Sequence, residues 1–144
     1  MPQKNEISIF WFRRDLRLED NNALNKALKG GLPVLPIFIF DDNILEDLPK
    51  NDARITFIYD SLKEIGSKLK KNSSSLLIKK GNIEEVWKGL ISEFNIGKVF
   101  FNRDYEPYAI KRDRQISSFL KSNKIEVSSY KDQVIFEKNE VLKA

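Results

Sequence analysis

The sequence predicts an α/β fold: a Rossmann-like, doubly wound parallel sheet of five strands in the order 3-2-1-4-5, with helices on both faces. Five apolar segments alternate along the chain with helical patterns, which is typical of βαβ units. Most of these segments are nearly continuous apolar runs rather than alternating ones, as in strands that are covered on both faces. Right-handed crossovers between parallel strands place the connecting helices on both sides of such a sheet.

Five apolar segments are predicted as strands, and four amphipathic patterns are predicted as helices. The strands are residues 7–12, 34–40, 76–78, 99–101 and 125–130. The apolar stripes of the first three helices are Ala23, Leu24, Ala27 and Leu28; Ile55, Ile58, Leu62, Ile65 and Leu69; and Ile83, Val86, Trp87, Leu90, Ile91 and Phe94. The fourth helix is predicted from about residue 107 to residue 120, because Pro107 suits a first helical turn. We expect Asp52 to cap the second helix and Gly30 and Gly31 to end the first.

The composition indicates one globular domain. The chain has 144 residues, of which 41% are hydrophobic and 32% are charged. A chain of this length buries roughly 70% of the surface that its unfolded form exposes, so it can build a sizeable core. Lys and Arg number 25 against 21 for Asp and Glu, which gives a net charge of +4. This mild excess permits a polyanionic partner without arguing strongly for one.

The chain contains no cysteine and no histidine. Disulfides, thiol nucleophiles, zinc–thiolate sites and histidine-dependent catalytic triads are therefore excluded within it. We predict no metal site and no catalytic residue in this chain. Any chemistry must use carboxylates, lysine, tyrosine or a bound cofactor, which favours a binding domain over an enzyme.

Three familiar sequence signals are absent. No apolar run approaches the ~18 residues that a membrane span needs, and the first residues, MPQKNEIS, lack the apolar core of a signal peptide. We therefore expect a cytoplasmic protein with no membrane partner. No G-x-G-x-x-G follows the first strand and no G-x-x-x-x-G-K-[ST] occurs, which weighs against an ordinary dinucleotide or P-loop site.

Polar and aromatic side chains follow three of the predicted strands, at the edge where open parallel sheets bind ligands. Residues 13–17 follow the first strand, and Phe38 and Phe40 end the second. Asp104 and Glu106 follow the fourth. Together these groups predict a pocket for a planar, polar ligand, with aromatic walls and a charged rim. Structural alternatives remain open: ion pairing for residues 13–17, core packing for the phenylalanines, and helix capping for the acids.

Four segments in the correct order resemble the DNA photolyase and cryptochrome family. They are residues 11–24 (WFRRDLRLEDNNAL), 38–45 (FIFDDNIL), 52–62 (DARITFIYDSL) and 101–113 (FNRDYEPYAIKRD). The resemblance implies that residues 1–136 form an N-terminal α/β domain that carries a light-harvesting antenna chromophore. It also implies that residues 137–144 begin a linker to a C-terminal helical domain that binds FAD and is absent from this chain.

The resemblance further implies what the whole protein does. The full-length parent would be a deoxyribodipyrimidine photolyase, a carbon–carbon lyase that uses light-driven electron transfer to repair pyrimidine dimers in damaged DNA. The antenna domain would pass excitation energy to FAD and would be catalytically inactive by itself. Two other readings stay open: the same domain of a cryptochrome photoreceptor, and a stand-alone Rossmann-like nucleotide-binding module. The missing glycine loop weighs against the second of these.

The identity of the antenna follows from residue-by-residue similarity to members of the family. Members with a folate antenna carry an Asn-Glu pair where this chain has Tyr108 and Ala109, so a folate is disfavoured. Members with a deazaflavin have a pattern that this chain matches at four positions, namely Phe38, Arg54, Asp104 and Glu106. The resemblance implies that Phe38 packs on the chromophore, that the other three supply polar contacts, and that Phe40 and Ile58 form apolar walls. The expected antenna is therefore 8-hydroxy-5-deazaflavin or FMN rather than folate, with an empty pocket of that type as the alternative.

Arg13, Asp15 and Arg17 are predicted to have a different role. We expect them to fix loops and the interface between the two domains by ion pairing. On this hypothesis the opening motif identifies the family, while the contacts to the chromophore lie elsewhere in the chain.

Overall fold

The protein forms one five-stranded parallel sheet, which a computed structural model describes over residues 5–13, 15–42 and 53–131. Its strands are β1 (Glu6–Phe12), β2 (Val34–Asp41), β3 (Leu77–Gly81), β4 (Asn95–Asn102) and β5 (Glu126–Tyr130). They pair in the order β3-β2-β1-β4-β5, and every pairing is parallel. The predicted fold class and strand order are confirmed.

Helices connect successive strands and cover both faces of the sheet. They are α1 (Asn22–Leu28), α2 (Ala53–Lys71), α3 (Ile83–Glu93) and α4 (Pro107–Ser122). Side chains of Asn21 and Asn82 cap α1 and α3 by accepting hydrogen bonds from backbone N–H groups of the first turns. The expected cap of α2, Asp52, lies outside the described residues, as do the boundary at residue 136 and the linker 137–144.

Neighbouring residues of a strand point to opposite faces, and this alternation divides the core into two clusters. On one face, Trp11, Ile37 and Phe101 pack against Trp87 of α3 and Ile116 of α4. On the other face, strand phenylalanines pack against α1 and α2; these are Phe10, Phe12, Phe38, Phe40 and Phe100. Helices α1 and α2 thus share one face of the sheet, and α3 and α4 share the other.

Strands β3 and β4 extend by several residues past the ends that the apolar pattern predicts, because backbone pairing continues past the apolar residues. Strand β3 runs to Gly81, with Lys79 and Lys80 in register with residues of β2. Strand β4 begins at Asn95, which pairs with Glu6. The expectation that Leu28 joins the buried stripe of α1 is wrong, since its side chain is 63% exposed where the helix ends.

No helix in the described ranges combines the length and the apolar character needed to cross a bilayer. The cytoplasmic location stays a prediction.

Candidate functional site

The polar groups of the sheet concentrate at its carboxyl edge, around the point where the strand order reverses between β1 and β4. This is the position at which open parallel sheets bind ligands. Several charged or amide side chains are almost fully buried there; they are Arg13, Asp15, Asn21, Asp41, Asn102 and Arg112. Burying such groups is costly unless they find partners, so their contacts define the architecture of this edge.

Arg13 is the centre of a buried ion pair under α4. Its guanidinium donates to both carboxylate oxygens of Asp113, at 2.6 and 2.9 Å, and to the backbone carbonyl of Asn102 at 2.5 Å. It also lies over the rings of Phe101 and Trp11, at 4.3 and 4.8 Å from their centroids. Burial lowers the pKa of Arg13, while Asp113 acts in the opposite direction by favouring the charged form.

Arg112 lies beside this pair and shares its carboxylate. Its Nε donates to Asp113 Oδ1 at 3.2 Å, and its guanidinium lies 5.2 Å from the centroid of the Trp11 ring. Among the described residues its Nη2 is buried without a hydrogen-bond partner. Two guanidinium groups therefore converge on one carboxylate, which makes Asp113 the main electrostatic anchor of this part of α4.

Asn102, at the end of β4, connects the loop after β1 to the start of α1. Its Nδ2 donates to Asp15 Oδ2 at 2.5 Å and to Asn21 Oδ1 at 2.7 Å, and its Oδ1 accepts from the backbone N–H of Ala23 at 3.0 Å. Asp15 Oδ1 accepts from the backbone N–H of Arg13 at 2.8 Å. The loop, the strand end and the helix start are thus fixed by one buried amide.

Arg17 lies further along the same loop and makes hydrogen bonds to the backbone of the turn. It donates to the carbonyl of Asp20 at 3.1 Å, while its own carbonyl accepts from Asn21 Nδ2 at 3.0 Å. The structure therefore places Arg13, Asp15 and Arg17 in contacts that hold loops. Their expected role at a domain interface stays a prediction.

Phe38 and Phe40 form an aromatic row at the end of β2, beneath α2. Their ring centroids lie 4.9 Å apart in an edge-on arrangement, and Phe40 lies 5.2 Å from Tyr59 of α2 with an interplanar angle of 31°. Both phenylalanines are nearly buried, whereas Tyr59 is 52% exposed. Ile58 is half-buried in the same cluster. The row thus runs from the core to the solvent-exposed edge of the sheet.

Arg54 lies in the first turn of α2 and is exposed. It precedes Tyr59 by five residues, so it lies about 7.5 Å further out along the helix axis, beyond the end of β2. The two acids lie in the loop from β4 to α4, where Asp104 Oδ1 accepts from the backbone N–H of Glu106 at 3.1 Å. Glu106 occupies the N-cap position of α4, yet its side chain makes no capping hydrogen bond.

The four residues expected to hold the chromophore are therefore all at the carboxyl edge. Phe38 and Arg54 belong to the β2–α2 side, and Asp104 and Glu106 belong to the β4–α4 side. The Tyr108 hydroxyl donates a hydrogen bond to Asp41 Oδ2 at 2.6 Å and so links these two sides.

Sequence reasoning assigned no structural role to Asp113 or Tyr108. One signal for the buried pair was present, because Ala109, Arg112 and Ile116 recur at helical spacing and share the buried stripe of α4. An arginine in such a stripe needs a carboxylate nearby. Nothing in the local pattern singles out Tyr108 as the partner of Asp41.

Comparison with known proteins decides the family. Residues 8–144 match the family model described as DNA photolyase. The chain belongs to the DNA photolyase family. The resemblance read from the sequence motifs is confirmed.

Relatives in this family include both photolyases and cryptochromes. The chain is 33% identical to the deoxyribodipyrimidine photo-lyase of Agrobacterium fabrum, over 95% of this chain and 28% of that protein. It is also 33% identical to the (6-4)DNA photolyase of Arabidopsis thaliana, over 90% of this chain and 25% of that protein. Cryptochrome-2 of Gallus gallus is 33% identical over 83% of this chain and 21% of that protein. The chain thus spans about a quarter of the length of these relatives.

Solved structures of photolyases and cryptochromes share the fold. A bacterial class III photolyase from Agrobacterium tumefaciens has a TM-score of 0.79 and 32% identity, covering 91% of this chain and 27% of that one. The Synechocystis cryptochrome has a TM-score of 0.82 and 25% identity, covering 91% and 28%. An archaeal photolyase from Sulfolobus tokodaii, described with two FAD molecules and a novel light-harvesting cofactor, has a TM-score of 0.79 and 33% identity, covering 97% and 35%.

Proposed function

We propose that this chain is the antenna domain of a deoxyribodipyrimidine photolyase. It holds a light-harvesting chromophore and passes excitation energy to FAD in a C-terminal helical domain of the parent protein, which repairs pyrimidine dimers in DNA. The 33% identity to the Agrobacterium photo-lyase, over 95% of this chain, supports a photolyase parent. On this proposal the chain alone has no repair activity, because the catalytic flavin belongs to the other domain.

The observation that carries the proposal is that four residues proposed to contact the chromophore lie towards the carboxyl edge of the sheet. Phe38 brings a ring to this edge and Arg54 brings a positive charge, while Asp104 and Glu106 bring acceptors from the opposite side. Apolar walls with a few polar anchors are what a planar ligand site requires. An antenna needs no acid, base or nucleophile, so a chain without histidine or cysteine is well suited to this role.

We propose a flavin-type antenna, namely 8-hydroxy-5-deazaflavin, FMN or FAD, in preference to folate. The aromatic row that ends in the half-exposed Tyr59 fits a flat tricyclic ring, since its outermost rings are already arranged for contact with another aromatic group. Inclusion of FAD is supported by the Sulfolobus tokodaii photolyase, which is described with two FAD molecules. When bound, such a chromophore supplies absorption of light at longer wavelengths than the protein absorbs.

The residues of this chain would bind and orient the chromophore and exclude water from it. Phe38 and Phe40 would form the apolar wall of the site, with Ile58 beside them. Glu106 is suited to accept from a donor on the ligand, because its carboxylate is exposed at the sheet edge and carries acceptor oxygens. Arg54 is suited to an anionic or carbonyl group at the outer end of the ligand.

A cryptochrome photoreceptor is the second candidate. It is favoured by the 33% identity to Cryptochrome-2 of Gallus gallus and by the TM-score of 0.82 to the Synechocystis cryptochrome. The difference between the two functions depends on regions of the parent beyond this chain.

Light-dependent repair by the full-length parent separates the two candidates. Oligonucleotides that carry a cyclobutane pyrimidine dimer or a (6-4) product are incubated with the protein in light and in darkness. A photolyase restores the undamaged bases only in light. Absence of repair of both lesions in a preparation that contains FAD would favour the cryptochrome.

A further inference from the structure

The hydrogen bond between Tyr108 and Asp41 joins the two segments that carry the proposed chromophore contacts. Asp41 is the last residue of β2 and lies three positions after Phe38. Tyr108 is in the first turn of α4, two positions after Glu106. Strand β1 lies between β2 and β4, so the 2.6 Å bond from the Tyr108 hydroxyl to Asp41 Oδ2 crosses over the carboxyl end of β1.

One partner of this bond is buried in the protein, and the other lies partly at its surface. Asp41 is buried, and the Tyr108 ring has the guanidinium of Arg112 at 5.9 Å from its centroid. Arg112 in turn lies over Trp11, a fully packed residue of the sheet. Tyr108 itself is 41% exposed, so its ring forms part of the surface at the sheet edge. A shift of the first turn of α4 therefore moves a side chain that borders the proposed site.

No direct backbone pairing links β2 to β4, because β1 separates them. A second tie between α4 and the sheet edge joins Arg13 to Asp113, which lies five positions after Tyr108 and therefore more than one turn further along the helix. Loss of the Tyr108–Asp41 bond leaves the Arg13–Asp113 pair in place but removes a contact between the end of β2 and the first turn of α4, next to the loop that contains Asp104 and Glu106.

We propose that Tyr108 and Asp41 form a clasp that positions the antenna site, setting the separation between the end of β2 and the β4–α4 loop. The proposal rests on the antenna function given above. Tyr108 is a positioning residue, since it acts on the chromophore through the placement of Asp104 and Glu106. The clasp matters for an antenna because excitation-energy transfer depends on the distance and the angle at which the chromophore is held.

The test uses the purified protein, titrated separately with FMN, FAD and 8-hydroxy-5-deazaflavin, with fluorescence anisotropy of the bound chromophore as the second readout. Tyr108→Phe removes only the hydroxyl, and we expect an affinity loss on the order of tenfold together with lower anisotropy. The urea midpoint should fall less than in Asp113→Ala, and the protein should remain folded, because the Arg13–Asp113 tie remains. The matched control is Tyr130→Phe at the end of the far edge strand, which should bind like the wild type.

Variants of Asp41 show whether the bond itself is responsible. Asp41→Ala should weaken binding at least as much as Tyr108→Phe, and the two changes combined should cost less than the sum of their separate effects. Asp41→Asn keeps an acceptor oxygen and should restore most of the affinity. If Tyr108→Phe fails to fold, the difference in chromophore affinity between Asp41→Asn and Asp41→Ala tests the clasp instead.

Two results would overturn the inference, and they are distinguishable. Wild-type affinity and anisotropy in both Tyr108→Phe and Asp41→Ala would refute the clasp proposal and leave the proposed antenna function unaffected. A wild-type protein that binds none of the three chromophores would overturn the proposed function, and the clasp with it.

Discussion

The guanidinium of Arg13 holds the carboxylate of Asp113, 100 residues further along the chain, in two hydrogen bonds of 2.6 and 2.9 Å. Arg13 follows directly after β1 and Asp113 lies in α4, so the pair ties a helix to the centre of the sheet edge. Both side chains are largely withdrawn from water, with exposures of 6% and 13%. Breaking such a pair leaves a buried charge without compensation.

Asp113→Ala should therefore destabilise the protein by about 3–5 kcal/mol. Arg112 loses its carboxylate partner in the same variant, which adds to the loss. Urea denaturation followed by circular dichroism measures the change in the free energy of unfolding. The control is Asp60→Ala on the exposed side of α2, expected to change stability by less than about 0.5 kcal/mol. A loss below about 1 kcal/mol for Asp113→Ala would contradict the anchoring role of the pair.

Asn102→Ala should lower the free energy of unfolding by about 3 kcal/mol, because it removes hydrogen-bond partners from several buried groups at once. These are the Asp15 carboxylate, the Asn21 amide oxygen and the backbone N–H of Ala23. The same denaturation measurement applies, with Asn72→Ala as control, since the Asn72 amide makes an exposed bond to its own helix. Equal losses of stability in the two variants would show that the buried Asn102 amide does not hold this loop in place.

The order of the sheet was predictable because hydrophobic pattern and topology rules act on long segments. Strands β1 and β2 are mostly apolar, and their inner positions in the sheet leave them covered on both faces. The ends of β3 and β4 were not predictable in the same way. Lys79 and Lys80 belong to the edge strand β3 because they pair with residues of β2. Asn95 begins β4 because it pairs with Glu6. Pairing with a neighbour overrides local preference at such positions.

The candidate site was predictable only in its location. Strand ends of a parallel sheet meet at one edge, so Phe38, Asp104 and Glu106 had to lie there. The partner of Arg13 was not predictable from the motif, because nearby Asp15 accepts the backbone N–H of Arg13 instead of its guanidinium. Ion pairs between residues far apart in sequence depend on how a helix is rotated on the sheet. That rotation is fixed by packing and not by any local signal.

Arg54→Ala and Glu106→Ala should each weaken binding of a flavin-type chromophore by about tenfold, the effect of losing one charge-assisted contact. Both side chains are exposed, so stability should hardly change. Equilibrium titration with FMN and 8-hydroxy-5-deazaflavin measures the affinities. Arg114→Ala, an exposed arginine on α4, is the control. Arg13→Lys should affect affinity less than either site variant, and the opposite ranking would move the site to the opening motif.

Phe38→Leu should weaken chromophore binding several-fold while costing less than about 1.5 kcal/mol in stability, because the volume is nearly conserved but the flat ring is lost. Phe100→Leu is the matched control: it lies on the same face of the sheet, in β4, and away from the aromatic row. Titration and urea denaturation of both variants separate binding from packing. If the two substitutions reduced affinity equally, Phe38 would act through the core alone.

The most direct test of the antenna function is a titration of the purified protein with 8-hydroxy-5-deazaflavin, FMN, FAD and methenyltetrahydrofolate, followed by visible absorption and fluorescence. We predict saturable binding at one site for at least one of the three flavin-type chromophores, with weak or undetectable binding of the folate. Tight binding of the folate with none of the three flavin-type compounds would contradict this prediction.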